Sequence, residues 1–293
     1  MFSKSSRLRY LLKRFIRRLG EALIGFSESI TYYAVAVIKR EGNWLICRNG
    51  DFLWKLDRTS GVDNAIIRTG FFEPQSIALV SQYLKPGMIV MDVGANFGYY
   101  AIQMSKLVGP NGTVHAFEPS SRFRQRLNEH IQLNHCENII VNNFGLSNAA
   151  KVLQLQESDD TATLRWWYES ASPIRQENIQ LKTLDSYVKE RKINHVDFIK
   201  VDIDGHEPKF VAGATKVLKR LRPAILIEFM QLALTLNDSD VEILAQTLTS
   251  LGYELLSEKT GRPFTNRINF LNETMNCAFS TNVLCLPQKG SHR

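Results

Sequence analysis

Ile89-Val-Met-Asp-Val-Gly-Ala-Asn-Phe-Gly-Tyr-Tyr100, followed by Val114-His-Ala-Phe-Glu-Pro119, decides how this chain folds. The first segment reads as a buried apolar strand, a tight glycine-bearing turn, and a helix opening at Tyr99, Tyr100 and Ala101. The second reads as another short buried strand that ends in an acid. Glu118 lies 20 residues beyond Gly98, the spacing at which βαβ nucleotide folds place a carboxylate on a ribose. The pair implies a ligand that contains a nucleoside.

The turn narrows the choice. A dinucleotide fold uses G-x-G-x-x-G, so that a pyrophosphate rests on bare backbone at a helix N-terminus. Here Gly94 is followed at the next two fingerprint positions by Asn96 and Tyr99, and the pattern is Asp92-x-Gly94-x-Asn96-x-Gly98. An acid before the turn suits a ligand without phosphate but with an amino group and a sulfonium, namely S-adenosylmethionine. The expected cofactor-binding residues are Asp92, Gly94, Asn96 and Gly98 around the methionine moiety, with Glu118 on the ribose. Gly94 and Gly98 are expected to admit the ligand close to backbone, and free N–H groups at the helix start to take its carboxylate. Asn143 and Phe144, after the third strand, are expected to face the adenine.

Charge is unevenly placed. The chain of 293 residues has a net charge of +7 and 44% hydrophobic residues, enough for one large α/β domain with an extension. Lys4, Arg7, Arg9, Lys13, Arg14, Arg17 and Arg18 lie among the first 20 residues with no acid, and these 7 cations equal the whole excess. The remaining body is neutral, which gives no reason to expect nucleic acid as a partner. Leu8, Leu11, Leu12, Phe15, Ile16, Leu19 and Leu23 recur at helical spacing within this arm. Three readings stay open: a helix on an anionic membrane surface, an organelle presequence, or a helix packed on the body. The run Ala22–Phe26 is short and flanked by Glu21 and Glu28, against a secretory signal. The four cysteines form no C-x-x-C pair, which points to a reducing compartment without structural zinc. A cytoplasmic protein, with peripheral attachment through residues 4–18 or import as alternatives, is the expectation.

The chain divides into the arm at 1–30, a β-rich extension at 31–72, and the main domain at 73–290. Tyr32–Lys39, Trp44–Cys47 and Phe52–Leu56 read as an antiparallel meander. Glu73-Pro74 starts a helix reaching Tyr83. Strands follow at 89–93, 113–117, 139–142, 198–201 and 224–228, with helices at 98–107, 120–133, 209–221 and 239–251. A strand near Tyr253 and a final strand from Cys277 to Leu286 close the chain, the last pair suggesting an antiparallel edge strand. This alternation predicts a mostly parallel sheet with helices on both faces.

A second dense stretch is Ile199-Lys-Val-Asp-Ile-Asp-Gly-His-Glu-Pro208, with Ile225-Leu-Ile-Glu228 ending the next strand. Open α/β sheets bind ligands at the carboxyl ends of their strands, so Asp202, His206 and Glu228 are the candidate catalytic residues. His206 is the candidate general base because its reference pKa lies near operating pH. Asp202 or Glu228 would orient it or receive the acceptor hydroxyl. In the alternative arrangement, Asp202, Asp204 and Glu228 hold a divalent cation that acidifies the acceptor. Trp166, Trp167 and Tyr168 are either a stacking wall for an acceptor or core.

The order Asp-Val-Gly-Ala-Asn-Phe-Gly-Tyr-Tyr, Phe-Glu-Pro, Gly145-Leu-Ser147, Thr183-Leu-Asp185, Ile-Lys-Val-Asp-Ile-Asp-Gly-His-Glu and Ile-Glu228 resembles the FkbM family of S-adenosylmethionine-dependent methyltransferases, from about Glu73 to Pro287. The resemblance implies a class I methyltransferase fold with a seven-stranded Rossmann-like sheet, and O-methylation of a hydroxyl on a glycan, lipid-linked or secondary-metabolite acceptor. The family's usual acid between the Asp and the Gly-His is Glu, where this chain has Asp204. A non-catalytic adenosyl-ligand-binding protein on the same fold is the alternative.

Overall fold

The computed structural model describes residues 35–158, 162–164, 174–275 and 280–288. The basic arm and Trp166, Trp167 and Tyr168 lie outside them. Ala36–Glu41 (β1), Trp44–Asn49 (β2) and Phe52–Asp57 (β3) form the expected antiparallel meander. Gly61–Thr69 (α1), which the sequence reading did not place, is capped by Ser60, whose side chain accepts the Asp63 N–H. Pro74–Tyr83 (α2) follows.

Ile89–Val93 (β4), Tyr99–Val108 (α3), Thr113–Phe117 (β5), Ser121–Leu133 (α4) and Ile139–Asn142 (β6) then alternate as expected. Next comes a stretch that the sequence reading left without strands. Gly145–Leu146 (β7), Lys151–Glu157 (β8), Ala162–Thr163 (β9) and Arg175–Lys182 (β10) make a separate sheet in the order β7-β10-β8-β9. Its strands are rich in Gln, Glu and Lys and bury only a few apolar side chains, Leu155, Ile179 and Leu181, so their hydrophobic signal is weak.

Leu184–Glu190 (α5) and Phe198–Val201 (β11) lead to Glu207–Gly213 (α6) and Thr215–Leu221 (α7). One helix over 209–221 was expected. It is broken at Ala214, next to Gly213, which lies against the Ser147 carbonyl where a Cβ would come within 1.9 Å. Ala224–Phe229 (β12), Gln231–Leu236 (α8), Val241–Ser250 (α9), Tyr253–Ser257 (β13), Arg267–Thr274 (α10) and Thr281–Pro287 (β14) complete the described chain.

The main sheet has seven strands in the order β13-β14-β12-β11-β4-β5-β6. β4, β5, β6, β11 and β12 are parallel, and β14 runs antiparallel between β12 and β13. The edge is therefore β13 and not the final strand, since β14 inserts beside β12. Neighbouring residues along each strand face opposite sides. Met91, Ile225 and Ile227 join a core with α5, α6, α7 and α9, while Val90 and Leu226 join one with α1, α2, α3 and α4. This is the class I methyltransferase sheet with helices on both faces. The meander belongs to it, since Leu45, Trp54 and Leu56 lie in the same core as Val90 and Ala116. Buried polar contacts pin it further: Asn134 exchanges hydrogen bonds with both backbone groups of Leu53, and Arg126 pairs with Asp63 at 2.6 Å.

Candidate active site

A cavity of about 540 Å³ opens at the carboxyl ends of β4, β5, β11 and β12. Its lining joins the two motif stretches: Gly94, Asn96 and Glu118 on one side, Asp202, His206 and Glu228 on the other. The small sheet supplies an apolar wall through Leu155, Ile179 and Leu181, and the segment before β4 supplies Phe72 and Glu73.

The turn after β4 is held by its own protein. The Gly94 and Ala95 N–H groups both donate to the Phe117 carbonyl, at 3.0 and 3.1 Å. The Asn96 N–H donates to Glu118 Oε2 at 2.8 Å, and the Ser120 N–H to Glu118 Oε1 at 2.8 Å. These turn amides are thus spent internally; at the helix start, where amides were expected to take a ligand carboxylate, the Gly98 N–H donates to the Ala95 carbonyl at 2.8 Å. Gly94 has φ +84, and a Cβ there would sit 1.9 Å from the Asp202 carbonyl oxygen. The neighbouring strand end by itself demands the lack of a side chain there. Gly98, at φ +94, starts α3 against Leu127 and lies outside the cavity lining. Asp92 also lies behind the lining, and its carboxylate accepts the Ala101 N–H in the first turn of α3. Asn143 is exposed outside the cavity, and Phe144 packs on Phe117 and Tyr187 in the core. Gly145 and Leu146, the next two residues, reach the cavity instead.

The second motif builds a charged layer under the cavity. Lys200 pairs in register with Asp92, and Glu228 with Asn282, so one face of the sheet carries all four polar side chains. Lys200 is 1% exposed. Its ammonium lies 2.9 Å from Asp202 Oδ2 and 4.8 Å from the centre of the Tyr100 ring. Burial opposes that charge, but Asp202, Glu73 and Glu228 outweigh it and hold Lys200 above the usual lysine value. Burial pushes Asp92 up to about 7 despite Lys200. Burial also lifts Glu118 to about 7 against its two amide bonds, and raises Glu228 well above the carboxylate range, aided by Asp202 and Glu207. Glu207 accepts the Ile203 N–H at 3.0 Å and so closes the loop into α6.

His206 is not poised to titrate near neutrality. It is 3% exposed, and burial, helped by Lys209 and Lys151, lowers its pKa to about 3. Ser147 Oγ donates to Asn148 Oδ1, so its 2.9 Å contact with His206 Nε2 is accepted from the ring N–H. Nδ1 is then a bare acceptor, with no partner among the described residues. Glu228 Oε2 is also unpartnered there, on a side chain 7% exposed. Among the described residues no group of three or more His, Cys, Asp and Glu converges as a metal ion requires, so Asp202, Asp204 and Glu228 do not form such a cluster.

The sequence reading passed over Lys200, Tyr100 and Glu73. Glu73 takes the Tyr100 hydroxyl at 2.6 Å and the Asn282 side-chain amide at 3.2 Å, both on Oε2. A lysine in an otherwise apolar strand was the available signal for Lys200. Glu73 had none, because it approaches from outside the motifs.

Residues 92–255 match the model of the methyltransferase FkbM domain, more than half of the chain. Among solved structures, the chain is similar to methyltransferase FkbM from Methylobacillus flagellatus, with 14% identity and a TM-score of 0.42 over 76% of this chain and 52% of that one. It is also similar to precorrin-6Y C5,15-methyltransferase from Geobacter metallireducens, with 12% identity and a TM-score of 0.43 over 75% and 90%. TYW2 from M. jannaschii, solved with AdoMet, gives 16% identity and a TM-score of 0.42 over 87% and 89%. No curated protein matches. The chain belongs to the FkbM family of methyltransferases, with S-adenosylmethionine as its cofactor.

Proposed function

We propose that the protein is an O-methyltransferase, with the cofactor along Gly94, Asn96 and Glu118 and the acceptor hydroxyl at Glu228. The observation that carries this reading is the unpartnered Glu228 Oε2, buried in the cavity that Glu118 also lines. The residues fit the cofactor: a cavity of about 540 Å³ lies within the range of small-ligand sites, and Glu118 faces it with a buried carboxylate. Bound there, S-adenosylmethionine supplies a methyl group already activated by its sulfonium.

The protein's task is alignment and removal of one proton. Glu118 stiffens the turn through Asn96 and offers its remaining lone pairs to the ribose hydroxyls. Glu228 takes the acceptor hydroxyl proton after releasing its own, since burial and the neighbouring acids favour its neutral form and make the ionised carboxylate strongly basic. Lys200 neutralises Asp202 beside it, which limits the repulsion between the two acids. His206 stays neutral and accepts a hydrogen bond through Nδ1.

Release of S-adenosylhomocysteine, assayed with a panel of hydroxylated acceptors, tests the reading. Glu228→Gln should lower kcat by about 100-fold or more while leaving cofactor affinity intact. His206→Asn should cost less. The reverse ranking would return the base role to His206, and cofactor binding without turnover on any acceptor would favour a binding protein. Attachment to anionic membranes through residues 4–18 is a separate part of the proposal. Vesicle binding that survives deletion of residues 1–20 would overturn it. No helix among the described residues is long and apolar enough to cross a membrane.

A further inference from the structure

The acceptor end of the cavity is more acidic than catalysis requires. Among the described residues the lining holds Glu73, Glu118, Asp202, Asp204 and Glu228, with no lysine or arginine. Lys200 is the nearby cation, and it is committed to Asp202 beneath the Tyr100 ring. Glu118 is engaged by the amides of Asn96 and Ser120. Proton removal uses one acid, Glu228. Asp204 has an interaction of its own, and Glu73 is then left over.

Glu73 is held in place at some expense. Its backbone is left-handed, with φ 48, a conformation that a non-glycine residue keeps only where its surroundings impose it. Tyr100 and Asn282 fix Oε2, and Oε1 has no hydrogen bond among the described residues. Asn282 also pairs across the sheet with Glu228, which places the two acids on either side of one amide. The buried, unpartnered Glu228 Oε2 marks a ligand position at the same end. Lys200 favours the Glu73 charge, but its ammonium is bonded to Asp202 and burial still raises Glu73 above the usual carboxylate value, a cost that a cation or a hydrogen-bond donor on the ligand relieves.

On the methyltransferase reading, we propose that Glu73 is a specificity residue for a cationic acceptor: it binds a protonated amine on the acceptor, close to the hydroxyl that Glu228 deprotonates. An amino alcohol satisfies both acids at once, its ammonium on Glu73 and its hydroxyl on Glu228. A phosphorylated or carboxylated acceptor meets several carboxylates and no available cation, so it is rejected by charge. Glu73 precedes the stretch that matches the family model, so this preference belongs to the chain's own N-terminal segment.

Calorimetry on the full-length protein saturated with S-adenosylhomocysteine tests this, using glucosamine, glucose and glucose 6-phosphate as probes. Glucosamine should bind about tenfold or more tighter than glucose, as a charge-assisted hydrogen bond predicts, and glucose 6-phosphate more weakly than either. Glu73→Gln should remove the preference and leave S-adenosylhomocysteine affinity unchanged. Tyr100→Phe, which frees the Glu73 carboxylate, should reduce it even if the first variant folds poorly. Equal binding of glucosamine and glucose, no binding of glucosamine, tighter binding of the phosphate, or a preference that survives both substitutions overturns the proposal. Failure of S-adenosylhomocysteine to bind at all would instead bring down the cofactor reading on which it rests.

Discussion

Glu118 Oε2 accepts the backbone N–H of Asn96 at 2.8 Å. The acid that ends β5 therefore shapes the turn that ends β4, and in the proposed function cofactor recognition and turn stability share this one side chain. Glu118→Ala removes the acceptor for two amides and should weaken S-adenosylhomocysteine binding by roughly 10- to 100-fold, measured by calorimetry. Because burial lifts the Glu118 carboxyl to about 7, wild-type affinity should rise between pH 6 and 8 as the carboxylate forms. Glu118→Gln should flatten that rise. An unchanged slope would assign the titration to Asp92, also lifted to about 7.

Gly94 touches the second motif as closely as backbone allows. A Cβ there would fall 1.9 Å from the Asp202 carbonyl oxygen, at a φ of +84 that L residues avoid. Gly94→Ala should cost more than about 2 kcal/mol of stability, through strain and a forced strand-end shift. Cofactor binding should fall with it. Urea unfolding decides the matter, and a midpoint equal to wild type would mean that the turn relaxes freely.

Lys200 is a buried cation serving several acids. Lys200→Met keeps the shape but leaves Asp202 and Asp92 without their countercharge, so the expected loss is about 3 kcal/mol. Adding Asp202→Asn should recover part of it. Full recovery by the second change, or no loss from the first, would reduce the ion pair to a bystander.

Stability should depend on pH in a defined way. The folded pKa values of Asp92 and Glu118 are raised by burial to about 7. Their contribution is complete below the unfolded carboxylate values and is lost as pH rises through about 7. His115, His130 and His206 are lowered by burial to about 4, 4 and 3. Theirs is complete above the unfolded histidine value and is lost as pH falls toward 4. Glu207, raised by burial to about 8, joins these carboxylates. Three buried carboxylates then oppose three histidines, so cofactor-free stability should be highest between about pH 5 and 6 and should decline by roughly 2 to 3 kcal/mol toward pH 8.5. Thermal melting across that range, showing a steady rise to pH 8.5, would contradict the buried carboxylates' titration.

The parallel core strands were legible in the sequence because each is a short apolar run bounded by turn residues, a pattern set by burial on both faces. Strands 89–93, 113–117, 139–142 and 198–201 coincide with the observed ones. The place of Glu118 in the cavity beside the turn was legible too, since it sits at a fixed distance along the chain from that turn. Tertiary structure decided everything that depends on what approaches from elsewhere. It spent the turn amides on Phe117 and Glu118, and it made Gly94 necessary through Asp202. It also buried His206, the expected base, which lowers its pKa to about 3. Glu73 entered the site through Tyr100 and Asn282, partners 27 and 209 residues away. Spacing along a chain reports local geometry, whereas basicity and pairing follow from desolvation and from neighbours that only folding brings together.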